Sequence, residues 1–320
     1  MQSNHPDIIV IGGAVADISL VPVGPEVFHA GSTPLDSIAM RVGGDAANES
    51  IVLARLGHRP ALISKLGEDA AGDFVFRSLN AAGVDTRHIL RESGLDTSIN
   101  ILLVDATGER NFLTNRNGSL RKLGLSDILP ALQSPELAEA KVACLASMFV
   151  SPLLTLEDTV ALYDLLLARG LILCADTTRR KRGETLREAG EALSRLDYFF
   201  PNMEEAVLLT GKRGPDAIAD ALLEAGVKHV ALKLGRAGCL LASADERFRV
   251  PAYPDARSLD TTGAGDTFAA AFLSALMEGR SFEACGRFAN AAASLCIECV
   301  GATGGSWTRT DVEARLAAIP

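Results

Sequence analysis

Short apolar runs alternate along the chain with longer segments in which apolar residues recur at helical spacing. The runs lack polar alternation, which is typical of parallel strands buried on both faces. Several helical segments end in glycine, which suits the left-handed position after a helix. The pattern predicts an α/β layered fold with a mostly parallel central sheet. The predicted strands are DIIVIGG, ALISKLG, KVACLAS, LILCAD, DYFFPN and KHVALKLG, and the helix-ending glycines are Gly57, Gly83, Gly170 and Gly226.

Two segments interrupt this alternation. Residues 18–42 are too rich in proline and glycine for a helix, and residues 97–114 predict a strand pair that turns at Thr107-Gly108. We expect both to be β segments inserted beside the main sheet. There they would form a small lid over the strand ends, where open α/β sheets bind ligands. Ordinary edge hairpins would give the same pattern.

The overall charge and the N-terminus exclude several classes of protein. The chain has 320 residues, with 31 Lys+Arg against 40 Asp+Glu, a net charge of -9 and a pI near 5.2. This balance argues against an extended nucleic-acid or membrane surface. The N-terminus lacks a basic region, and glycines interrupt its apolar run, which argues against a signal peptide or membrane span. We therefore expect a cytoplasmic protein, and no repeat or linker divides residues 1–320 into more than one domain.

The six cysteines do not suggest a disulfide framework. Cys144 and Cys174 lie inside apolar runs, as expected for reduced thiols of a core. Cys296 and Cys299 form a CxxC pair. No second pair or nearby histidine completes a tetrahedral set of ligands, so the pattern does not favour zinc.

The stretch DTTGAGDTFAAAF at 260–272 carries the clearest chemistry. Gly263, Ala264 and Gly265 have little or no side chain, so their amides can face a ligand at the start of an apolar helix, whose dipole also favours negative charge. Asp266 beside this anion hole would repel a phosphate unless it accepted the proton of a hydroxyl that attacks a phosphoryl group. A capping aspartate after a glycine turn is the structural alternative.

Two spaced motifs resemble those of the PfkB/ribokinase family of carbohydrate kinases. DTTGAGDTFAAAFL is similar to the C-terminal motif of that family, and GGDAANESIVLARLGHRPALISKLG at 43–67 is similar to the N-terminal one. PNMEE, KLGRAG and FANAAA resemble further family motifs, so the resemblance spans nearly the whole chain. It implies a ribokinase-like three-layer αβα sandwich with a β lid, which transfers the γ-phosphoryl group of ATP to a hydroxyl of a sugar-like molecule.

The resemblance also implies a role for individual residues. Asp266 would be the general base, and Gly263, Ala264 and Gly265 would form the anion hole. Glu205 would organise Mg²⁺ through water, which suits a hard cation that keeps its hydration shell. The other implied residues are Asp17, Gly43, Gly44, Asp45 and Asn48 for the acceptor; Asn202, Lys233, Gly235, Gly238 and Asn290 for the nucleotide; and Asp260, Thr262, Gly301 and Ser306 where some relatives bind a monovalent cation such as K⁺.

Two of these residues have ordinary structural alternatives. Asp45 could cap the helix that runs to Leu56 instead of binding the acceptor. Asn202, in PNMEE, could simply cap the helix after Pro201.

The acceptor itself stays open. Val15 stands where ribokinase has an asparagine, and no glutamate follows the KVACLASMF strand, which makes ribose doubtful. The basic run at 179–182 predicts a solvated loop, although one arginine could reach a phosphate or carboxylate. A free sugar, a phosphosugar, a sugar acid or a nucleoside remains open, as does a non-catalytic sensor of sugar or nucleotide.

The predicted lid has an apolar side. Ile18, Leu20 and Val21, with Ile101 and Leu103, would expose an apolar patch on a sheet face left uncovered. We therefore expect a homodimer that pairs through the lid.

Overall fold

The computed structural model describes residues 5–106, 110–178 and 183–318. The predicted turn at Thr107-Gly108 and the basic run at 179–182 lie outside the described residues. Within them, the strands form a nine-stranded sheet and a four-stranded sheet. The strands are β1 (Ile8–Ile11), β2 (Val15–Val21), β3 (Ser37–Gly43), β4 (Pro60–Gly67), β5 (Ile89–Glu92), β6 (Ile99–Val104), β7 (Arg110–Thr114), β8 (Val142–Met148), β9 (Ile172–Thr177), β10 (Tyr198–Phe200), β11 (His229–Lys233), β12 (Cys239–Ser243) and β13 (Arg247–Val250).

Helices cover both faces of the large sheet. They are α1 (Asp45–Arg55), α2 (Ala70–Ala81), α3 (Leu125–Leu132), α4 (Leu156–Ala168), α5 (Leu186–Leu193), α6 (Met203–Thr210), α7 (Pro215–Glu224), α8 (Ala264–Met277), α9 (Phe282–Cys296) and α10 (Arg309–Ala317). Alternate residues of β1 enter two different cores: Ile8 and Val10 pack with α1, α2 and α8–α10, whereas Ile9 and Ile11 pack with α3–α7. The predicted three-layer αβα sandwich is confirmed.

The large sheet is mostly parallel and has the strand order β13-β12-β11-β10-β9-β8-β1-β4-β5. The chain leaves β1 toward β4 on one side and returns to β8 on the other, so the connections diverge between β1 and β8. Loops that diverge in this way open a crevice at the carboxyl ends of the strands. The hydrophobic pattern did not predict β5, β12 or β13. β5 and β13 have four residues each and form the two edges of the sheet, whereas CLLAS of β12 is a buried apolar run that could have been recognised.

The smaller sheet is the lid, with the order β3-β2-β6-β7. β2 pairs antiparallel with β3, and β6 with β7, whereas β2 and β6 are parallel. The β structure expected in 18–42 and 97–114 is therefore present, although the first strand already begins at Val15. Grouping Val21 with Leu20 was wrong, because successive residues of a strand face opposite sides of its sheet.

Two smaller sequence predictions are also confirmed. Gly57, Gly83, Gly170 and Gly226 all have left-handed φ values, between 75° and 99°. Cys144 and Cys174 are buried free thiols. In the described part of the chain, no group of three or more potential His, Cys, Asp or Glu ligands gathers around a metal position, and no helix is both long and apolar enough to cross a bilayer.

Candidate active site

Polar groups from four helices and strands converge at the carboxyl edge of the large sheet, beneath the lid. The first turns of α1 and α8 contribute Asn48 and Asp266, whose side chains bond to each other. The ends of β9 and β11 contribute Asp176 and Lys233, which form an ion pair. These residues are up to 218 positions apart in the chain, so only the fold brings them together.

Asp266 lies in the first turn of α8 and is held from α1. Asn48 Nδ2 donates to Asp266 Oδ2 at 2.7 Å. Burial raises the pKa of Asp266 to about 6, against the lowering effect of the bond from Asn48, and the negative charge of Asp176 raises it further. The carboxyl group is thus mostly ionised at neutral pH and can still accept a proton. That combination suits a general base.

The turn before Asp266 presents backbone amides to the crevice. Gly263 caps α8 in the left-handed region with a φ of 75°. A Cβ there would lie 2.1 Å from the Ala302 carbonyl oxygen, so the position requires glycine. First-turn amides have no partner within their helix, although Ala264 N–H donates to the Thr261 carbonyl at 3.3 Å. The helix start therefore offers N–H groups and a positive dipole end beside the carboxylate.

Lys233 provides the positive charge of the site. Its Nζ donates to both oxygens of Asp176, at 2.8 and 2.7 Å, and both side chains are nearly buried. A methyl group added at Gly265 would come within 3.2 Å of Lys233 Nζ, so the ammonium lies directly against the first turn of α8. Despite burial, the charges of Asp176 and Glu205 raise the pKa of Lys233 above its usual value. The ammonium stays protonated next to the amides.

Glu205 and Asn202 lie at the start of α6, where Asn202 pairs with Lys233 in an isolated bridge. Asn202 Oδ1 accepts from Glu205 N at 2.9 Å, and Glu205 Oε2 accepts from Asn202 N at 3.1 Å. The structural alternative, a helix cap after Pro201, is thus present as a reciprocal capping box. Burial raises the pKa of Glu205 to about 7, although Lys233 lowers it. One carboxylate oxygen remains outside the capping bond.

Asp17 and Gly43 form the wall of the crevice that belongs to the lid. Asn100 Nδ2 donates to Asp17 Oδ1 at 2.9 Å. A Cβ on Gly43 would lie 2.0 Å from Asp17 Oδ2, so glycine leaves the space that the carboxylate occupies. Burial raises the pKa of Asp17 to about 6. Gly44, the next residue, has a left-handed φ of 91° and caps α1.

Asp45 does not cap α1. The cap residue is Gly44, without a side-chain capping bond, and Asp45 is the first residue of the helix. Its carboxyl group instead accepts a hydrogen bond from Ser147 Oγ at the end of β8. Ser147 and Phe149 both have positive φ values, 57° and 77°, where the pairing of β8 with β9 shifts register. Such strain in residues other than glycine concentrates at functional sites.

Glu49 is a further acidic group beneath the site. It is fully buried on α1, and among the described residues neither of its carboxylate oxygens has a well-oriented hydrogen-bond donor. Burial raises its pKa well above the usual value, and the charges of Asp176 and Asp266 raise it further.

The residues expected at the nucleotide lie on a separate wall. Asn290 on α9 donates to the Val250 and Pro251 carbonyl oxygens, at 3.1 and 3.0 Å. Its amide thus fixes the chain that follows β13. Gly235 and Gly238 bound the turn between β11 and β12, which begins beside Lys233. Lys233 joins this wall to the polar cluster around Asp266.

The residues expected at a monovalent cation partly converge. Asp260 accepts from Thr262 N through Oδ1 and from Gly301 N through Oδ2, each at 2.8 Å. The carboxylate therefore ties the turn before α8 to the loop after α9. Ser306 is exposed further along that loop.

Sequence reasoning missed several contacts of the site. It did not pair Asp176 with Lys233. It gave no role to Ser147, Asn100 or Glu49. Asp176 could have been found, because it follows an apolar strand at the edge where ligands bind. Ser147 could not, since its position depends on an irregular strand pairing.

Comparison with known proteins places the whole chain in one family. The sequence profile of the pfkB family of carbohydrate kinases matches residues 5–309. The chain is 31% identical to ribokinase of Bacillus subtilis over 312 residues, which cover 97% of this chain and 99% of that protein. It is 26% identical to 2-dehydro-3-deoxygluconokinase of the same organism, with 91% of each chain covered. An Escherichia coli protein described as a candidate ribokinase II, solved with ATP and Mg²⁺, superposes with a TM-score of 0.82 at 25% identity, covering 98% of this chain and 99% of the other.

The ion pair of Lys233 with Asp176 yields a stability prediction. Lys233→Met leaves a buried carboxylate without its cation, and we expect the free energy of unfolding to fall by about 3–5 kcal/mol. The double variant Lys233→Met/Asp176→Asn should recover most of that loss. Lys228→Met is the matched control, because its pair with Asp197 is at the surface and contributes about 1 kcal/mol or less. Urea denaturation measures all three, and equal losses at Lys233 and Lys228 would contradict the assignment.

Proposed function

The chain belongs to the pfkB family of carbohydrate kinases, and we propose that it transfers the γ-phosphoryl group of ATP to a hydroxyl group of a sugar-like acceptor with Asp266 as the general base. That it is a carbohydrate kinase follows from the family match and the named relatives. The observation that carries the proposed mechanism is the placement of Asp266 in the same helical turn as the first backbone amides of α8. We assign this activity to residues 1–320 as one kinase domain.

The proposed chemistry balances at these groups. The acceptor hydroxyl oxygen forms the new bond to the γ-phosphorus, while the bond from that phosphorus to the bridging oxygen of ADP breaks. The hydroxyl proton passes to Asp266, whose pKa of about 6 leaves it ionised at neutral pH. The amides at Gly263, Ala264 and Gly265 and the ammonium of Lys233 stabilise the negative charge of the transferring group. Positioning and electrostatics supply the rate enhancement.

The acceptor would lie between the lid and α1. Asp17, Asn100 and Asn48 supply hydrogen-bonding groups around the crevice, and Gly43 leaves room for Asp17. Asp45 and Ser147 add a further pair of hydrogen-bonded polar side chains to the crevice. A polyol has hydroxyl groups that both donate and accept, which suits this mixture of carboxyl, amide and hydroxyl groups.

The carboxylate oxygens of Glu205 and Asp260 are suitable ligands for metal ions. Glu205 keeps one oxygen outside its capping bond, in a half-buried position near Lys233, which suits a Mg²⁺ ion held through water. Bound Mg²⁺ neutralises phosphate charge. Asp260 with the loops at Thr262 and Gly301 would hold a monovalent cation. On the nucleotide side, Asn202, Gly235, Gly238 and Asn290 shape the wall.

Asp266→Asn should abolish most of the transfer. The amide cannot accept the hydroxyl proton, so we expect kcat to fall by about 10²–10⁴-fold, with ATP affinity retained.

In the wild type, kcat/KM should fall as the pH drops through about 6, because Asp266 becomes protonated. Asn48→Ala should move this acid limb to higher pH, since the bond from Asn48 lowers the pKa. Steady-state kinetics between pH 5 and 8 test both effects, and near-normal turnover of Asp266→Asn would remove it from the mechanism.

Glu205→Gln should raise the Mg²⁺ concentration needed for half-maximal activity and leave the acceptor KM nearly unchanged. Glutamine can replace glutamate in the capping box, so the helix start is preserved while the charge is lost. Titrating activity with Mg²⁺ at saturating acceptor measures the effect. If the acceptor KM rose as much as the Mg²⁺ requirement, Glu205 would belong to the acceptor side.

A homodimer should form through the outer face of the lid. The strand register places Ile18, Leu20, Ile101 and Leu103 on one face together with Ile38, Met40 and Leu113, which are 68%, 47% and 55% exposed. An apolar face of this extent favours burial against a second copy. We expect Ile38→Lys to give monomers in sedimentation, whereas Leu165→Lys, an exposed leucine on α4, should not. A monomeric wild type would refute the dimer and leave the kinase assignment intact.

A further inference from the structure

Arg41 belongs to a row of three polar side chains across the inner face of the lid. In the register of β2 with β3, Arg41 lies opposite Asp17, and in that of β2 with β6, Asn100 lies on the other side of Asp17. Directly opposed residues share a face of a sheet. This face is turned toward the body of the protein, because the charge of Asp17 affects the pKa of Asp266.

The Arg41 guanidinium does not neutralise its neighbour in the row. Asp17 accepts its bond from Asn100, whereas Arg41 Nη1 donates to Ser19 Oγ at 3.2 Å. Among the described residues, Arg41 forms no ion pair, and Asp17 has a raised pKa in spite of the arginine beside it in the sheet. A guanidinium has five N–H donors. Most of its donors, and its full charge, are therefore free for a ligand.

The stem of Arg41 is positioned from the opposite side by the loop after α9. A Cβ on Gly301 would lie 2.9 Å from Arg41 Cδ and 3.2 Å from Nε. Gly301 is itself fixed, because its amide donates to Asp260. Arg41 therefore lies between the lid and the loop after α9, and its guanidinium contacts Ser19.

Arg41 differs from the other charged groups around the crevice, because it is a cation without an acidic partner among the described residues. The acceptor side carries the carboxyl groups of Asp17, Asp45 and Asp266. Lys233, the cation beneath them, is already paired with Asp176. A neutral polyol needs only the carboxyl, amide and hydroxyl groups. An uncommitted guanidinium suits a carboxylate or a phosphate, which it can bind through two parallel hydrogen bonds.

We propose that Arg41 selects acceptors that carry an anionic group, a carboxylate or a phosphate monoester, in addition to the hydroxyl that reacts at Asp266. The inference rests on the proposed function and narrows its substrate class.

Binding measurements with matched acceptors test the proposal apart from catalysis. Isothermal titration calorimetry without ATP would compare D-gluconate with D-glucose and D-fructose 6-phosphate with D-fructose. We expect the wild type to bind at least one anionic member about 10-fold or more tightly than its neutral partner. The pair that shows the preference distinguishes a carboxylate from a phosphate.

Variants of Arg41 then identify the group responsible. Arg41→Gln should weaken binding of the preferred anion by about 10- to 100-fold and change binding of its neutral partner by less than about 3-fold. Arg41→Lys should retain part of the preference, since it keeps the charge but not the planar fork. Arg77→Gln, at an exposed position on α2, controls for the loss of net charge and should have no effect.

Two results would overturn the proposal. One is a wild type without preference for either anion, including one that binds neither. The other is an Arg41→Gln variant that loses affinity for ATP rather than for the acceptor, which would assign the guanidinium to the nucleotide. Failure of the proposed function is distinguishable, because it would appear as bound acceptor that is never phosphorylated in the presence of ATP and Mg²⁺.

Discussion

The burial of charge at the carboxyl edge of the sheet is the constraint on which the site depends. Among the described residues around the crevice, the charge of Lys233 acts on the carboxyl groups of Asp176, Glu205, Asp266 and Asp45. Burial raises the pKa of all four carboxyl groups, and Lys233 forms an ion pair with Asp176. Under the proposed function, a phosphorylated nucleotide would bring further negative charge, which the dipole of α8 and a Mg²⁺ ion would offset.

Much of the fold could be predicted from local sequence. Buried parallel strands appear as continuous apolar runs, and glycines with a left-handed φ end the helices. Short stretches of sequence are therefore enough to predict the layered architecture. The turn at Gly263 and the placement of Asp266 are equally local, because one helix start supplies both. The edge strands β5 and β13 have no comparable signal, since short strands at an edge are shaped mainly by their neighbours.

The remainder of the site depends on contacts between distant segments. Asp45 could equally have capped its helix, and only the irregular end of β8, which turns Ser147 toward it, decides the matter. Likewise, the partner of Lys233 is determined by which strands are adjacent in the sheet. The polar row of Arg41, Asp17 and Asn100 requires the register of three strands, and two of them, β3 and β6, are separated by α1, β4, α2 and β5.

The parallel pairing of β2 with β6 also bears on how the protein reaches its folded state. Each antiparallel pair of the lid joins strands that are close in the chain, but the contact between the two pairs joins segments about eighty residues apart. Closing such a contact costs chain entropy that local pairs avoid, so it forms late unless the intervening segment is already compact. The lid is therefore expected to be completed only after β4 and β5 have joined the main sheet and α2 has packed against it. Until then, the apolar face of the lid is exposed.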